Sequence, residues 1–428
     1  MTRHKHLKAA VRARMARTGE PYTTAHRHLT ASLQPPAEPA VGGARHHDSA
    51  LLTHVLAAAG VVADTDGRPL SEEVVAGLAG GIGFMYFSFS YADSLPTMTI
   101  VPRAHPRPFL PGALERAGVA HRVVETTSAA KAARELDAAL AAGRTPICTV
   151  DRALLPHQVW ADDLPGAAPH DVGLLGRAEG TVLLDDDCLA PIPLPEGVFA
   201  AARSGHRPSK QRMLVVEPDD TPVALAPAVR SALAGTVHDL TEDVMAGNFA
   251  GNFGLRGLAK WADAVADRRG RSGWARLFGS GPAFGTAMRR LHDCLTTDHS
   301  SPGAMRPLYA DFLDEAGAVL DAPAAAACAR LYRRSGELWT RIADEAAGGV
   351  MAPYRELAER RLELLLDQGS AAAPEIQDLA RRARALTEQL DVAEADRLAQ
   401  LDRLAGLAAE VLAVEREACA ALAVLAAG

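Results

Sequence analysis

Arg45-His46-His47-Asp48-Ser49 stands directly in front of an apolar run, Leu51, Leu52, Val55 and Leu56, that stops at Gly60. Spacings of three and four, with a polar cluster ahead and a glycine behind, predict a buried helix whose N-terminus opens onto a site. The dipole and free N–H groups of such an end favour anions and lower the pKa of a thiol placed there. The histidines suit proton transfer near neutral pH. Pro69-Leu70-Ser71-Glu72-Glu73 and Gly77-Leu78-Ala79-Gly80-Gly81-Ile82-Gly83-Phe84-Met85-Tyr86 follow. Ser71 with Glu72 reads as a helix start. The glycine run has no P-loop lysine and no βαβ frame, so its glycines point to close backbone packing and a bend beside the site. Phe84, Tyr86, Phe87 and Phe89 either wall an apolar acyl pocket or belong to the core.

In this order the residues resemble the N-terminal domain of butirosin biosynthesis protein H and its relatives. The resemblance implies a papain-like α+β domain and transfer of an aminoacyl group from a carrier-protein thioester to an aminoglycoside amine. In the family pattern, His-Cys-x-Ser/Thr-Ala-Leu opens the helix and the cysteine is the nucleophile. Here that position is His47. The resemblance puts the family's histidine at His170, ahead of a strand Asp171–Gly176, and its orienting carboxylate at Asp185, the end of the next strand. Adjacent antiparallel strands can set such a pair side by side. Otherwise His170 is a loop residue, and Asp185 opens an acidic turn with Asp186 and Asp187.

No other side chain convincingly replaces the thiol. Ser49 lies about 200° around the helix from His47, and His46 and Asp48 about 100°. Cys148 falls on a separate buried strand. Cys188, three residues past Asp185, faces the other way in an extended segment, although it is the foremost candidate for a displaced nucleophile. What remains is an acid–base pair, His47 and His170, with Asp185 behind, and with His47 kept neutral by the helix dipole. Such a site can assist direct attack of an amine or hydroxyl on a bound thioester, a cyclisation or an isomerisation. A histidine-histidine-aspartate set is also zinc chemistry, but the local spacing holds no metal motif; no cofactor and no metal is called for. In a further alternative, His47 merely caps the helix of an inactive member kept for binding or scaffolding.

The elements that position these residues follow from composition and pattern. The chain has 428 residues, 48% of them hydrophobic and only 5% aromatic, which favours helix and allows two or three domains. A net charge of −7 points away from nucleic acid. Five scattered cysteines without a CxxC indicate neither a zinc site nor a disulfide framework. With no apolar leader and no membrane-length run, the expectation is a cytoplasmic protein without a membrane partner.

Residues 1–32 form a basic segment with a helix from Lys5 to Arg17, and 33–44 a linker. Residues 45–218 form the domain that the resemblance implies to be papain-like, with helices near Pro111–Gly118 and Ser128–Ala142 and strands at Met98–Val101, Pro146–Asp151, Asp171–Gly176 and Thr181–Asp185. Residues 219–428 read as all-α. There Gly251-Asn252-Phe253-Gly254-Leu255-Arg256-Gly257-Leu258 and the stretch from Met305 to Ala316 resemble the uncharacterised domain that usually follows this module. Arg306 stands in that second motif and, with Phe84 and Tyr86, is the expected substrate-binding set. Leu398, Leu401, Ala405, Ala408 and Leu412 form a seam, either bundle core or a homodimer contact. The expected partner is a small-molecule or carrier-protein-bound acyl substrate.

Overall fold

The computed structural model describes residues 45–428 except 91, 93, 162 and 246, together with Arg12 and Met15. The predicted basic helix, apart from those two positions, and the linker lie outside the described residues.

The first helix, α1 (His47–Ala58), begins where the apolar run predicts and buries Leu51, Leu52, Val55 and Leu56. α2 (Glu72–Leu78) starts at Ser71, whose hydroxyl accepts the Val74 N–H at 3.1 Å. The hairpin of β1 (Ile82–Phe89) and β2 (Thr97–Arg103) follows, then α3 (Phe109–Ala117), β3 (His121–Val124) and α4 (Ala129–Ala141). Next come β4 (Ile147–Asp151), β5 (Pro169–Ala178), β6 (Thr181–Asp185), β7 (Ile192–Pro195), α5 (Glu196–Gly205) and β8 (Met213–Val216). These strands, with β3, make a six-stranded antiparallel sheet in the order β3-β8-β4-β5-β6-β7.

From residue 225 onward the described elements are helical: α6 (Leu225–Thr241), α7 (Gly254–Ala266), α8 (Gly281–Thr296), α9 (Arg306–Leu320), α10 (Ala324–Ala346), α11 (Ala352–Gln368), α12 (Ala373–Glu388) and α13 (Glu394–Ala427), joined by short turns. An α+β part followed by an all-α part is therefore what the sequence pattern implied. Among the described residues no helix is long and apolar enough to cross a membrane.

Both parts share their cores. One cluster joins Val150, Val172 and Leu184 of the sheet to Trp261, Trp339 and Leu404 of the helical part. A second joins α1, α2 and α3 to Tyr309, Phe312, Tyr332 and Leu422. The glycine run explains part of this closeness. A Cβ on Gly77 would lie 2.2 Å from the Phe312 ring, and one on Gly81, at φ +57°, 2.3 Å from the Tyr309 ring. Tyr309 and Phe312 are thus core residues. The seam on α13 also faces inward: Leu401, Leu404, Ala408 and Val411 are buried, with Leu398, Ala405 and Leu412 on its flank.

Candidate functional site

The N-terminus of α1 opens onto a cavity of about 220 Å³, walled on one side by β4, β5 and Arg103 of β2. Thr297–Ser300 and one face of α11 form the other wall, so both parts of the chain enclose it. His46 caps α1: its Nδ1 accepts the Ser49 N–H at 3.3 Å and faces the Ser49 hydroxyl at 2.8 Å. Glu72, reaching over from α2, takes the backbone N–H groups of Arg45 and His46. The end of the helix is therefore held by its own cap and by a neighbouring carboxylate.

His47, the first helical residue, lies flat against His170, with ring centroids 4.5 Å apart and planes 15° from parallel. Its Nε2–H donates to the Asp171 carbonyl at 2.6 Å, and its Nδ1 faces Asp187 at 3.3 Å. Burial favours the neutral ring, but the carboxylates of Asp187, Asp48 and Asp186 outweigh it and raise the pKa well above the usual 6.5. His47 is thus an imidazolium, contrary to the expectation from the helix dipole alone. A partial charge at a helix end is weaker than several nearby carboxylates. Asp48 itself stays ionised: burial disfavours its charge, but the Arg103 guanidinium paired with it wins.

The carboxylate behind His170 is Asp186, not Asp185. His170 Nε2 lies 2.7 Å from Asp186, which also binds His157 Nε2 and the Gln158 amide, each at 2.8 Å. Asp186 is fully buried; its donors, His170 foremost, overcome burial and hold its pKa well below the usual range. Asp185 instead holds His54 of α1 at 2.8 Å. The register explains the exchange. Asp185 pairs with Gly173, three residues along β5 from His170, so strand alternation turns its carboxylate to the opposite face.

The expected substrate-binding residues lie elsewhere. Phe84 packs between Trp261 and Trp339, and Tyr86 accepts the Trp274 indole N–H at 2.9 Å. Both point from one face of β1 into the helical core. Arg306 is fully buried, bonded to Glu415 and to the carbonyls of Gly83 and Pro102. None of the three lines the cavity. All five cysteines are buried. Cys188 donates to the Leu365 carbonyl at 3.0 Å, and burial together with Asp186 pushes its thiol pKa well above 9, so it is no displaced nucleophile.

One ligand atom each from His47, His170 and Asp186 falls within 4.8 Å of the others, a spacing that suits a metal ion. Ring orientation argues against it. In nearly parallel stacked rings the in-plane lone pairs cannot converge on one ion at about 2.0–2.1 Å, and Asp186 is already occupied by three side-chain donors.

Residues 46–187 match the family model described as butirosin biosynthesis protein H, N-terminal, and residues 199–368 match a domain of unknown function (DUF4872). The two matches, in this order, are the architecture of the butirosin biosynthesis protein H family. That family is of a biosynthetic, acyltransferase type. The first match opens at the cap of α1 and closes at Asp187, so it frames the stacked histidines and their carboxylates. The second contains the loop and helix that close the cavity. No match was found among the curated proteins.

His46 makes the site acid-sensitive. Burial lowers its pKa to about 3, with Arg103 and His47 adding to the effect against Asp48. Above about pH 6.5 the ring is neutral folded or unfolded. As pH falls from there toward about 3, only the unfolded chain takes up the proton, and stability drops. His47 acts in the opposite sense: its contribution is complete below about 6.5 and is lost as pH rises through its raised value. His46→Asn keeps a capping oxygen but not the titration. Its melting temperature is expected to fall less steeply than the wild type's between about pH 7 and 4; parallel curves would refute this role.

Proposed function

We propose that the protein is an enzyme of specialised-metabolite biosynthesis that carries out acyl or aminoacyl transfer, or ring closure, on a carrier-bound or amide substrate without an acyl-enzyme. His170 is the base. With its Nε2–H directed at Asp186, its Nδ1 carries the lone pair and takes the proton of the attacking amine or hydroxyl. The nucleophile then forms its bond to the acyl carbon, and the thiol leaves with a proton from His47. The 3.3 Å contact to Asp187 is the looser of the two that His47 makes, so Nδ1–H is the proton free to move. The observation that carries this reading is the stack itself, a protonated imidazole against one oriented by a carboxylate, on the wall of the cavity. The family resemblance supports it: the same helix end carries the nucleophile in the relatives the sequence resembles.

Thiol chemistry at position 47 provides the test. His47→Cys places a thiol at a helix N-terminus beside His170, where a thiolate is favoured. Incubation with a panel of acyl thioesters, read by intact mass, is expected to give an acyl adduct on residue 47 of the variant and none on the wild type. An adduct on the wild type would sink direct attack.

A second reading, a binding or scaffolding protein that has lost the chemistry, is favoured by one observation: both ring nitrogens of His47 already face protein acceptors. It requires that the wild type consume no thioester while binding its ligand.

A further inference from the structure

Arg361, on α11, lines the cavity from the helical side and is only 7% exposed. Its Nη2 donates to the Gln158 carbonyl at 2.8 Å and to the Gln158 side-chain oxygen at 3.2 Å, and its guanidinium lies 5.1 Å over the Trp160 ring. Among the described residues no carboxylate pairs with it, and its Nε has no partner. The other guanidinium groups of the wall are matched: Arg103 by Asp48, Arg152 by Asp163 and Asp298, and Arg212, more loosely, by Glu125 at 3.9 Å. Burial and the nearby charge of Arg152 lower the pKa of Arg361, and the carboxylates of Asp163, Asp298 and Asp293, near it but paired with other groups, only partly oppose them.

A buried cation with no carboxylate in contact, next to a second cation, is destabilising, and a neutral amide repays little of that cost. Folding alone would be served better by an apolar residue of the same volume. We infer that Arg361 is the counter-ion of an oxyanion, a carboxylate or a phosphate, carried by the molecule that enters this cavity. It would fix the anionic end of that molecule on the helical wall while the reacting carbonyl meets His170 on the opposite one. A volume of about 220 Å³ limits the enclosed portion to a small charged group and a short acyl chain. The assignment rests on the proposed reading only in taking this cavity as the substrate site.

The test reads binding rather than turnover. Melting temperature and calorimetric titration of the full chain are followed in chloride, acetate and inorganic phosphate at one ionic strength, for the wild type, Arg361→Met and Arg361→Lys. The wild type is expected to bind acetate or phosphate saturably and to melt higher in it; whichever anion acts identifies the class. Arg361→Met is expected to bind at least about tenfold more weakly, yet to melt as high as the wild type or higher in chloride. Arg361→Lys, which keeps the charge, retains a weakened response. His170→Ala should bind the anion as the wild type does, so loss of the catalytic reading would leave this one standing. No saturable response in the wild type, an equal response in Arg361→Met, or an Arg361→Met protein that melts lower by the same amount in all three salts would overturn it.

Discussion

Turnover of acyl thioesters in the presence of an amine acceptor is expected to fall by about 10²- to 10⁴-fold in His170→Ala, with the melting temperature nearly unchanged. The side chain is partly accessible at the cavity and makes one hydrogen bond, to Asp186, so its loss removes chemistry and little packing. Added imidazole is expected to restore part of the rate, because the vacated space borders the cavity and the missing group is the additive itself. Asp186→Asn tests the positioning residue. It leaves the ring in place but removes the charge that orients it, so kcat is expected to fall with KM unchanged. A purely structural role for Asp186 would instead lower the amount of folded protein and leave kcat per folded molecule intact. Full activity in His170→Ala would sink the assignment.

The largest stability effect is expected outside the cavity lining. Glu415 on α13 is fully buried and accepts from Arg306 at 2.7 Å, Ser335 at 2.5 Å and Trp339 at 3.2 Å. Burial raises the pKa of its carboxyl, but Arg306 and these donors more than reverse that, so the group remains ionised. Glu415→Ala leaves the Arg306 guanidinium buried without its counter-charge and is expected to cost about 3–5 kcal/mol, read from the denaturant midpoint. The double variant Arg306→Met/Glu415→Leu is expected to recover only part of it. The Gly83 and Pro102 carbonyls, which Arg306 satisfies, would then be bare. A Glu415→Ala protein as stable as the wild type would refute the role. Because Pro102 precedes Arg103, this buried ion pair also steadies the strand end that presents a cavity arginine.

Much of this architecture was legible from the chain alone, for reasons that differ by element. α1 and α2 announce themselves through a polar cap, an apolar face and a terminal glycine or start residue. β6, Thr181–Asp185, is legible because a polar turn separates two apolar runs. The two stacked histidines are legible together only through the resemblance to known relatives, since nothing local links residues 47 and 170. The choice between Asp185 and Asp186 was not legible. It depends on register, and one residue along a strand reverses the face. Phe84 and Tyr86 looked equally like pocket wall and core, and what decides is the set of tryptophans from residues 261 to 339 that pack on them. Arg361 and Asp187 carry no sequence signal at all. One sits on an ordinary amphipathic helix, and the other closes an acidic triplet whose members have three different tasks.

The burial of all five thiols has a practical consequence. Cys148, Cys188 and Cys294 belong to one core cluster, and Cys328 and Cys419 to the other. Burial raises the pKa of every one of them, to about 11 at Cys148 and Cys419 and about 12 at Cys328. An alkylating reagent added to the native protein therefore meets neither exposure nor thiolate, and each modification records an opening event. Residue-resolved labelling in mild denaturant would tell whether the sheet side and the helical side come apart in one step or in sequence, with no engineered probe.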